Sequence, residues 1–580
     1  MVPNVLLKEK SSMAIAIFAF LLICSYAHPF HIHPYRTYYH DILSILGLVL
    51  AFAFLAAEKA PRLQVPAIIY LFVSLLCLIA IQFVVGHLEN AADVILPLLY
   101  IVALVAAIIM GATWAAKEGG VTLLCQALAV AQLFAGLFSV VLQCIQLSGL
   151  YAWPFVMYIA TNAQPFMRPF ANVAQPNQLA LLLCFALASA CYLYKTRKMP
   201  VWLATVAVIF LLWGLTLTHS RIGWVIVPAF VLICGLGRQT NTGNAIEARL
   251  SLLFCIAMAL LYAGMVAGLP LLGDIFGFSG GSIAEHVGGR SERMVLWSQA
   301  WRMATEHPWF GVGWFGFGAE QVRIAADLTS GTYAEHAHNL ILNFAAELGC
   351  PFTLVFMVTL VWWFVQTCIR PAAHPAIQFS RLCFVAVMVH SMVEFPLWYA
   401  YVLIPVGVLM GMVHQMRWPA AGVRVVPSAL SILVILSLLL MALISMDFQR
   451  VVADFQALRT EQAGYSAPQA PMQKPALTIF PQFFEYFTLT RINPHEGMSA
   501  KEIAYLEKWG ARFGFVHIIN KLAEVYVLNG QANKAERAML SLQRLHPTAY
   551  AEYWDYWKAK SAQDERYQAV FVTMPPRDAP

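Results

Sequence analysis

Apolar runs long enough to cross a bilayer recur from one end of the chain to the other, and they decide most of what it can become. A membrane-spanning helix needs ~20 predominantly apolar residues. Such runs occupy residues 12–28, 41–57, 64–85, 92–113, 121–147, 176–194, 200–218, 222–236, 250–272, 350–368, a pair within 382–413, and 426–446. Only 11% of the 580 residues are charged, against about 25% in soluble domains. No single water-soluble core could hide that much apolar surface. The chain therefore reads as an all-α polytopic membrane protein with about 12–13 transmembrane helices. The first run follows Lys8 and Lys10 as in a signal peptide, but with no small-residue cleavage site it reads as an uncleaved span.

Basic residues orient the spans. Lys8 and Lys10, Lys59 and Arg62, Lys117, Lys195–Arg197–Lys198, Arg238 and Arg249, Arg370 and Arg381, and Arg417 and Arg424 fall at alternate ends. Placing them in the cytoplasm puts residues 28–40, 86–91, 148–175, the turn at Thr218–Arg221, 273–349 and the tail from Asp447 on the opposite side. The pair in 382–413 divides at Glu394-Phe395-Pro396, because proline and an ionisable carboxyl both disfavour one continuous apolar helix. Four regions result: an N-terminal transmembrane region 1–272, an external loop 273–349, C-terminal transmembrane helices 350–446 and a helical tail 447–580. The net charge of +6 is scattered in small clusters, which fits membrane orientation and not a nucleic-acid surface. The eleven cysteines lie in or beside apolar segments and none follows Cys383, so neither a disulfide framework nor a cysteine metal site is expected. In the tail, residues 514–547 resemble one tetratricopeptide-like helical hairpin, with its turn at Gly530, Ala535 in the second helix and Pro547 as its stop. One such hairpin cannot bury its own face and should pack on neighbouring tail helices.

The polar groups that carry chemistry concentrate in the external stretches. Arg221, in THSRIGW, opens an apolar helix. A guanidinium there is costly unless paired or anion-bound, and its planar fork suits two phosphate oxygens; a snorkelling interfacial arginine is the plain alternative. Arg290 and Arg293 flank Ser291, which can cap a helix starting near Glu292. Met294, Trp297 and Trp301 then recur at helical spacing and give an apolar face suited to a membrane surface beside the Arg293 cation. His307-Pro308-Trp309-Phe310-Gly311-Val312-Gly313-Trp314 ends that helix. Its glycines allow a turn that could aim backbone N–H groups at an anion, or simply a tight re-entry loop.

His336-Ala337-His338-Asn339 stands at the start of the next helix, with Glu347 two turns on and Gly349 at its end. Imidazole titrates near neutral pH and is a natural general base for a hydroxyl; capping and packing are the structural alternatives. Gln175, Asn177 and Gln178 open a span with amides that could hydrogen-bond sugar hydroxyls or cap the helix. Glu394 is an intramembrane carboxyl with no partner assignable from sequence. His28, His31, His33 and His40 match no tight metal site, and carboxylate or thiol partners are scarce. Neither a metal nor another cofactor is expected.

Together these residues resemble the O-antigen ligase and polymerase superfamily of bacterial inner membranes, and within it the pilin-type protein O-oligosaccharyltransferases. The resemblance runs through His33-Pro34-Tyr35 with Asp41, RPFANVAQPNQLA from Arg168, Ser220-Arg221, Arg293 to Trp297, HPWFGVGW, His336 to Gly349, and Glu394-Phe395-Pro396-Leu397-Trp398-Tyr399. It implies en bloc transfer of a glycan from undecaprenyl diphosphate to Ser or Thr hydroxyls of a periplasmic protein such as pilin. His338 would be the base, favoured over His336 by its neighbour Asn339. Arg221 and Arg293, or Arg290 in its place, would bind the diphosphate. His336, Asn339, Gln175, Asn177, Gln178, Glu347 and Glu394 would support the site. The partners implied are the lipid-linked donor, an acceptor protein and membrane lipids, and no nucleic acid. The resemblance places the active site and the tail in the periplasm. An O-antigen ligase acting on lipid A-core and an O-antigen polymerase share this donor chemistry. A transporter would be expected to show paired repeats with interrupted helices, and no such symmetry is apparent.

Overall fold

In the computed structural model the described residues are 2–88, 92–150, 155–159, 167–235, 251–278, 280, 292–328, 331–371, 374–420, 422–465 and 473–578. They are almost wholly helical. The apolar runs become α1 (Val2–Ala27), α2 (Tyr38–Ala56), α3 (Ile69–Val84), α4 (Ala92–Ala115), α5 (Gly120–Ser148), α6 (Pro176–Lys195), α7 (Val201–Leu217), α8 (Ile222–Gly235) and α9 (Leu252–Phe276). The external loop forms α10 (Glu292–Glu306), α11 (Phe317–Ile324) and α12 (Leu340–Leu348). Then come α13 (Cys350–Phe364), α14 (Pro375–Ser391), α15 (Ala400–Arg417) and α16 (Pro427–Gln462). The tail holds α17 (Pro481–Arg491), α18 (Ala500–Arg512), α19 (Val516–Leu528), α20 (Ala532–Leu545), α21 (Pro547–Ser561) and α22 (Glu565–Phe571). Two three-residue strands, β1 (Arg62–Gln64) and β2 (Gly422–Arg424), pair antiparallel with Arg62 opposite Arg424.

Every apolar run read from the sequence falls on one helix, and seven of these helices are long and apolar enough to cross a membrane. Four shorter apolar helices of 10–17 residues accompany them. The protein is an all-α polytopic membrane protein. The run 382–413 does divide, between Ser391 and Ala400, with Glu394 and Pro396 in the break. Proline at 396 has no N–H to donate and opens a short 3₁₀ turn instead.

The chain forms two compact units. The first comprises residues 1–74, 99–289 and 358–443. Its helices approach closely where side chains are smallest. A Cβ on Gly111 of α4 would lie 2.0 Å from the Val408 carbonyl oxygen of α15, and one on Gly411 would lie 1.9 Å from that of Ile108. Close backbone approach through small residues is a usual way for helices to associate in lipid. The basic end of this bundle is held by the Lys117–Glu58 ion pair at 2.5 Å, the β1–β2 pair, and a hydrogen bond from Lys195 to Gln378. Lys59, Arg62, Lys117, Lys195, Arg197, Lys198, Arg370, Arg381, Arg417 and Arg424 all belong to that end, as the alternation of charge in the sequence requires. Arg238 and Arg249 lie outside the described residues. All eleven cysteines are free thiols.

The second unit comprises residues 75–98, 290–357 and 444–580. Its core is built by α11 with α17–α22, around Trp557, Tyr550, Met539, Leu542, Ala523 and Leu506. Ser499 and Glu502 form a reciprocal capping box that starts α18. The tetratricopeptide-like reading of 514–547 is realised as α19 and α20, turning at Gly530 with φ +71° and with Ala535 fully buried. Pro547 stands at the first turn of α21, where its missing N–H is harmless. The 36-residue α16 exceeds the length a membrane requires. Its polar C-terminal part is used for docking: Asp454 and Glu461 bind Arg491 at 2.9 and 2.8 Å, and Asp447 accepts from Thr478 and from the Ile479 N–H.

Candidate active site

In the first unit, four loops meet at the end of the bundle opposite the basic one. The RPFAN segment is gripped by two glutamines of α5. Gln146 donates to the carbonyls of Met157 and Ala171 and accepts from the N–H groups of Phe170 and Ala171. Gln143 donates to the carbonyls of Pro169 and Gly214. An amide inside an apolar helix is costly unless it is satisfied; these two satisfy the backbone of an irregular loop at the same time. Asn172 then ties Ala27 and Phe155 to that loop at 2.6 and 2.8 Å.

Arg168 reaches from this loop to the Thr218 carbonyl at 3.0 Å and to Asn177 Oδ1 at 3.0 Å. Asn177 in turn donates to Glu394 Oε1 at 2.7 Å. Glu394, read from sequence as lacking a partner, therefore has Asn177; the two are 217 positions apart, so no local pattern could pair them. Both ends of the Asn177 amide are taken within the protein. Gln175 caps α6, its side chain accepting from the Gln178 N–H at 2.6 Å, so for this residue the capping alternative holds. Gln178 is buried, and neither of its amide atoms has a hydrogen-bond partner among the described residues. Arg221 follows Thr218 and the buried Ser220 and is itself exposed.

A second knot ties residues 28–41 to α15. Asp41 accepts from Thr37, Tyr35 and Tyr100 at 2.9, 3.1 and 2.8 Å, and its other oxygen accepts from the Ala400 N–H at 2.6 Å. The His28, His31 and His40 rings cluster beside it, with the His31 and His40 Nε2 atoms 2.9 Å apart. Burial pushes His28 down to about 4 and lowers His31 as well, which keeps both neutral. His33 accepts from Arg36 at 2.9 Å. Among the described residues no three His, Cys, Asp or Glu side chains are arranged to hold a metal ion.

In the second unit, the HPWFGVGW turn is tied to the end of α12. Val312 and Gly313 donate their N–H groups to the carbonyls of Ala346 and Glu347 at 2.8 and 3.2 Å, and Gly311 donates to His307. These N–H groups are thus spent inside the protein. The anion-cradle reading gives way to the re-entry loop. Gly349 makes the contact possible: a Cβ there would lie 2.3 Å from the Trp309 oxygen, and its φ is +85°. The Cys350 N–H, first in α13, donates to the Pro308 carbonyl at 2.8 Å. Buried Gln82 of α3 completes the tie. It donates to the carbonyls of Phe310 and Glu347 at 2.7 and 2.8 Å and accepts from Trp314 N–H at 3.2 Å.

Glu347 is fully buried under this turn, and burial pushes its carboxyl up to about 8, against smaller opposing effects from the N–H groups of Phe315 and Phe317, from Asn343 and from Arg512. Burial thereby favours its neutral form.

At the other end of α12, Asn339 is the N-cap, its side chain accepting from Leu342 N–H at 3.0 Å. Asn343 reaches back to accept from the Ala337 N–H at 2.9 Å, and Ala337 faces the core. The His336 and His338 rings stack with centroids 4.9 Å apart and planes at 16°, and both residues are half-buried. His338 has φ +51°, a left-handed conformation uncommon outside glycine that often marks a functional position.

Helix α10 buries Leu296, Ala300 and Met303 in a core shared with Ala337 and Ala346. It exposes Met294 and Trp301, with Trp297 half-buried, the stripe expected from sequence. Cys350 Sγ lies 3.7 Å from the Ala304 carbonyl, so α10 and α12 end level. Arg293 stands in the first turn of α10 and His338 two residues before α12, and the two helices share one apolar core. Arg290 and Ser291 lie outside the described residues. Arg221 belongs to the other unit.

Comparisons with known proteins find matches to two families and to two relatives. The family described as O-antigen ligase matches residues 206–357, the stretch that holds Arg221, Arg293, His336, His338, Asn339 and Glu347. A second family, described as virulence factor membrane-bound polymerase, C-terminal, matches residues 378–561. Residues 206–357 and 378–561 are thus each similar to one of these two families. Two relatives come from Acinetobacter baylyi. A general O-oligosaccharyltransferase is 24% identical over 94% of this chain and 96% of its own length. A ComP-specific O-oligosaccharyltransferase is 25% identical over 70% of this chain and 72% of its own. Sequence reasoning passed over Gln82, Gln143, Gln146, Asn172, Tyr100 and Arg512. The signal available was an amide inside an apolar run, as in IAIQFVV and LQCIQLS.

Proposed function

We propose that the chain is a protein O-oligosaccharyltransferase of the bacterial inner membrane. It would transfer a preassembled glycan from undecaprenyl diphosphate to a Ser or Thr hydroxyl of a periplasmic protein such as pilin, with its loops and tail on the periplasmic side. The observation that carries this reading is the match along nearly the whole chain to a general O-oligosaccharyltransferase. The placement of Arg293 in the first turn of α10 and of His338 just before α12, two helices that share one core, supports it.

In this reading His338 takes the proton of the acceptor hydroxyl as its oxygen bonds to the anomeric carbon. The bond from that carbon to the diphosphate oxygen breaks, and undecaprenyl diphosphate leaves with the electron pair. Arg221 and Arg293, with Arg290, stabilise the charge that develops on it, which fixed cations do best where water is scarce. A single displacement inverts the anomeric centre and calls on neither metal nor nucleotide sugar. His336 and Asn339 orient His338. Glu347 supports the same segment from the far end of α12. Asn177 and Glu394 brace the loop from which Arg168 reaches Thr218, three residues before Arg221. Gln178 remains available to a sugar hydroxyl. The four-region division of the chain belongs to the same proposal, with 273–349 as the catalytic loop.

A second reading is favoured by the family descriptions, which name a ligase and a polymerase: the acceptor would be lipid A-core or a growing glycan. Reconstitution with a polyprenyl-diphosphate-linked oligosaccharide and two acceptors, a pilin protein and lipid A-core, decides between them. Glycosylated protein with unmodified lipid is the expected result; modification of the lipid alone would overturn it.

A further inference from the structure

Residues 331–335 lead directly into His336 and His338, and each of their main features is tied to the C-terminal helices. Gly331 lies so near α20 that a Cβ would be 2.9 Å from the Arg544 carbonyl oxygen. The Tyr333 N–H donates to the Leu545 carbonyl at 3.1 Å. Its hydroxyl accepts from the Gly514 N–H at 3.2 Å, and its ring sits 5.8 Å from Phe515 and 5.7 Å from His546. A side chain at Gly514 would strike that ring, since a Cβ would be 2.5 Å from it.

Two residues on, Glu335 meets Arg512 at 3.4 Å. The same guanidinium holds Asp93 at the start of α4 through Nη2 and Nε, at 3.1 and 3.3 Å. The Arg512 side chain is 13% exposed. A cation so poorly hydrated is held in place by its carboxylates, and removing it would take that tie from both Asp93 and Glu335. The histidine segment is therefore fixed from both sides: downstream by Asn343 on the Ala337 N–H, upstream by Tyr333 and the Arg512–Glu335 pair.

We infer that Arg512 is a positioning residue for glycan transfer, and that the C-terminal helices hold the histidine segment in its working geometry as well as any acceptor they bind. The inference rests on the reading of the chain as a glycan transferase with His338 as its base. A displacement of about 1 Å at a reacting group can lower a rate about 10²-fold, so a buttress three residues from the base is well placed to act through it.

The test uses the full chain in proteoliposomes, with a polyprenyl-diphosphate-linked oligosaccharide as donor and a pilin protein as acceptor. Arg512→Ala should lower kcat by about 10²-fold with the acceptor KM within twofold, and should move the pH profile of kcat. Arg512→Lys should recover much of the rate and the wild-type profile, because an ammonium still pairs with both carboxylates. Trp557→Phe, which loses the indole bond to Asn520 deep in the tail core, controls for destabilisation: it should lower Tm with kcat and pH profile unchanged. A raised acceptor KM at unchanged kcat in Arg512→Ala would make the tail an acceptor site only and overturn the inference. So would wild-type kinetics in that variant, or equal kcat losses in Trp557→Phe. Wild-type protein that transfers no glycan would overturn the underlying reading and the inference with it.

Discussion

In the first unit Asp41 accepts from Thr37, Tyr35, Tyr100 and the Ala400 N–H, and Glu394 accepts from Asn177, which is itself bound to Arg168. In the second, Gln82, Asn343 and Glu347 address the backbone of the HPWFGVGW turn and of Ala337, while the stacked His336 and His338 rings stay half-buried above. The first arrangement uses carboxyls and amides up on each other, so that four irregular loops keep one shape in a largely apolar bundle. The second anchors main chain beneath two half-buried imidazoles. Buried polar groups cost most when unpaired. On the proposed reading, substitutions in the first should act on stability and those at His338 on transfer.

Substitutions can break that contrast. The largest effect is expected at His338. His338→Ala should reduce glycan transfer by about 10²–10⁴-fold, the usual contribution of a general base, with unchanged membrane insertion and protein level by immunoblot. Retained transfer would remove the base from the scheme. Arg293→Lys should follow, with a loss of about tenfold to 10²-fold in kcat, since an ammonium lacks the two-pronged donor geometry. Wild-type turnover there would leave Arg293 as a lipid-anchoring cation.

Asp41→Ala should act on stability instead. It removes the acceptor of the Ala400 N–H and of three hydroxyls, of which Tyr35 and Tyr100 keep each other, at about 1–3 kcal/mol for each group left unsatisfied. A lower Tm in detergent, with kcat per folded molecule unchanged, is the expected outcome; a loss of kcat without loss of Tm would move Asp41 from scaffold to site.

The smallest effect concerns pH. Folding raises the Glu347 carboxyl from 4.5 to about 8, so between those values the folded chain binds a proton that the unfolded chain has lost. The Glu347 contribution is therefore favourable below about pH 4.5 and declines as pH rises toward 8, by at most about 1.4 kcal/mol per pH unit. Glu347→Gln removes this titration, so its stability relative to wild type should increase from pH 5 to pH 8 in thermal melts. A difference independent of pH would show that Glu347 is ionised throughout.

Much of the bundle could be read from local pattern. Apolar run length placed every span, and the Glu394–Pro396 pair marked the break between α14 and α15 because both residues act on their own helix. Gly530 and Ala535 did the same for the tail hairpin. The ties that shape the candidate site were another matter. Asn177 and Glu394 are 217 residues apart, Gln82 and Glu347 are 265, and Arg512 and Asp93 are 419. Nothing in the local composition around either partner specifies the other. The HPWFGVGW glycines showed that the backbone would turn there, but whether its N–H groups face an anion or the end of α12 depends on which helix comes back to meet them. Arg293 and His338 are recognisable as chemistry-bearing types; that α10 and α12 pack on one core is not, because Leu296 and Ala337 are not neighbours in sequence.

The hydrogen bond from Cys350 to Pro308 also sets an altitude. Cys350 begins a helix of membrane-spanning length, so the exposed rings of Trp309 and Phe310 are tethered at the level where that helix emerges from the bilayer. A substrate carried on a long hydrocarbon anchor would be met there with its tail still immersed, sparing the ~0.8 kcal/mol that each withdrawn methylene would cost.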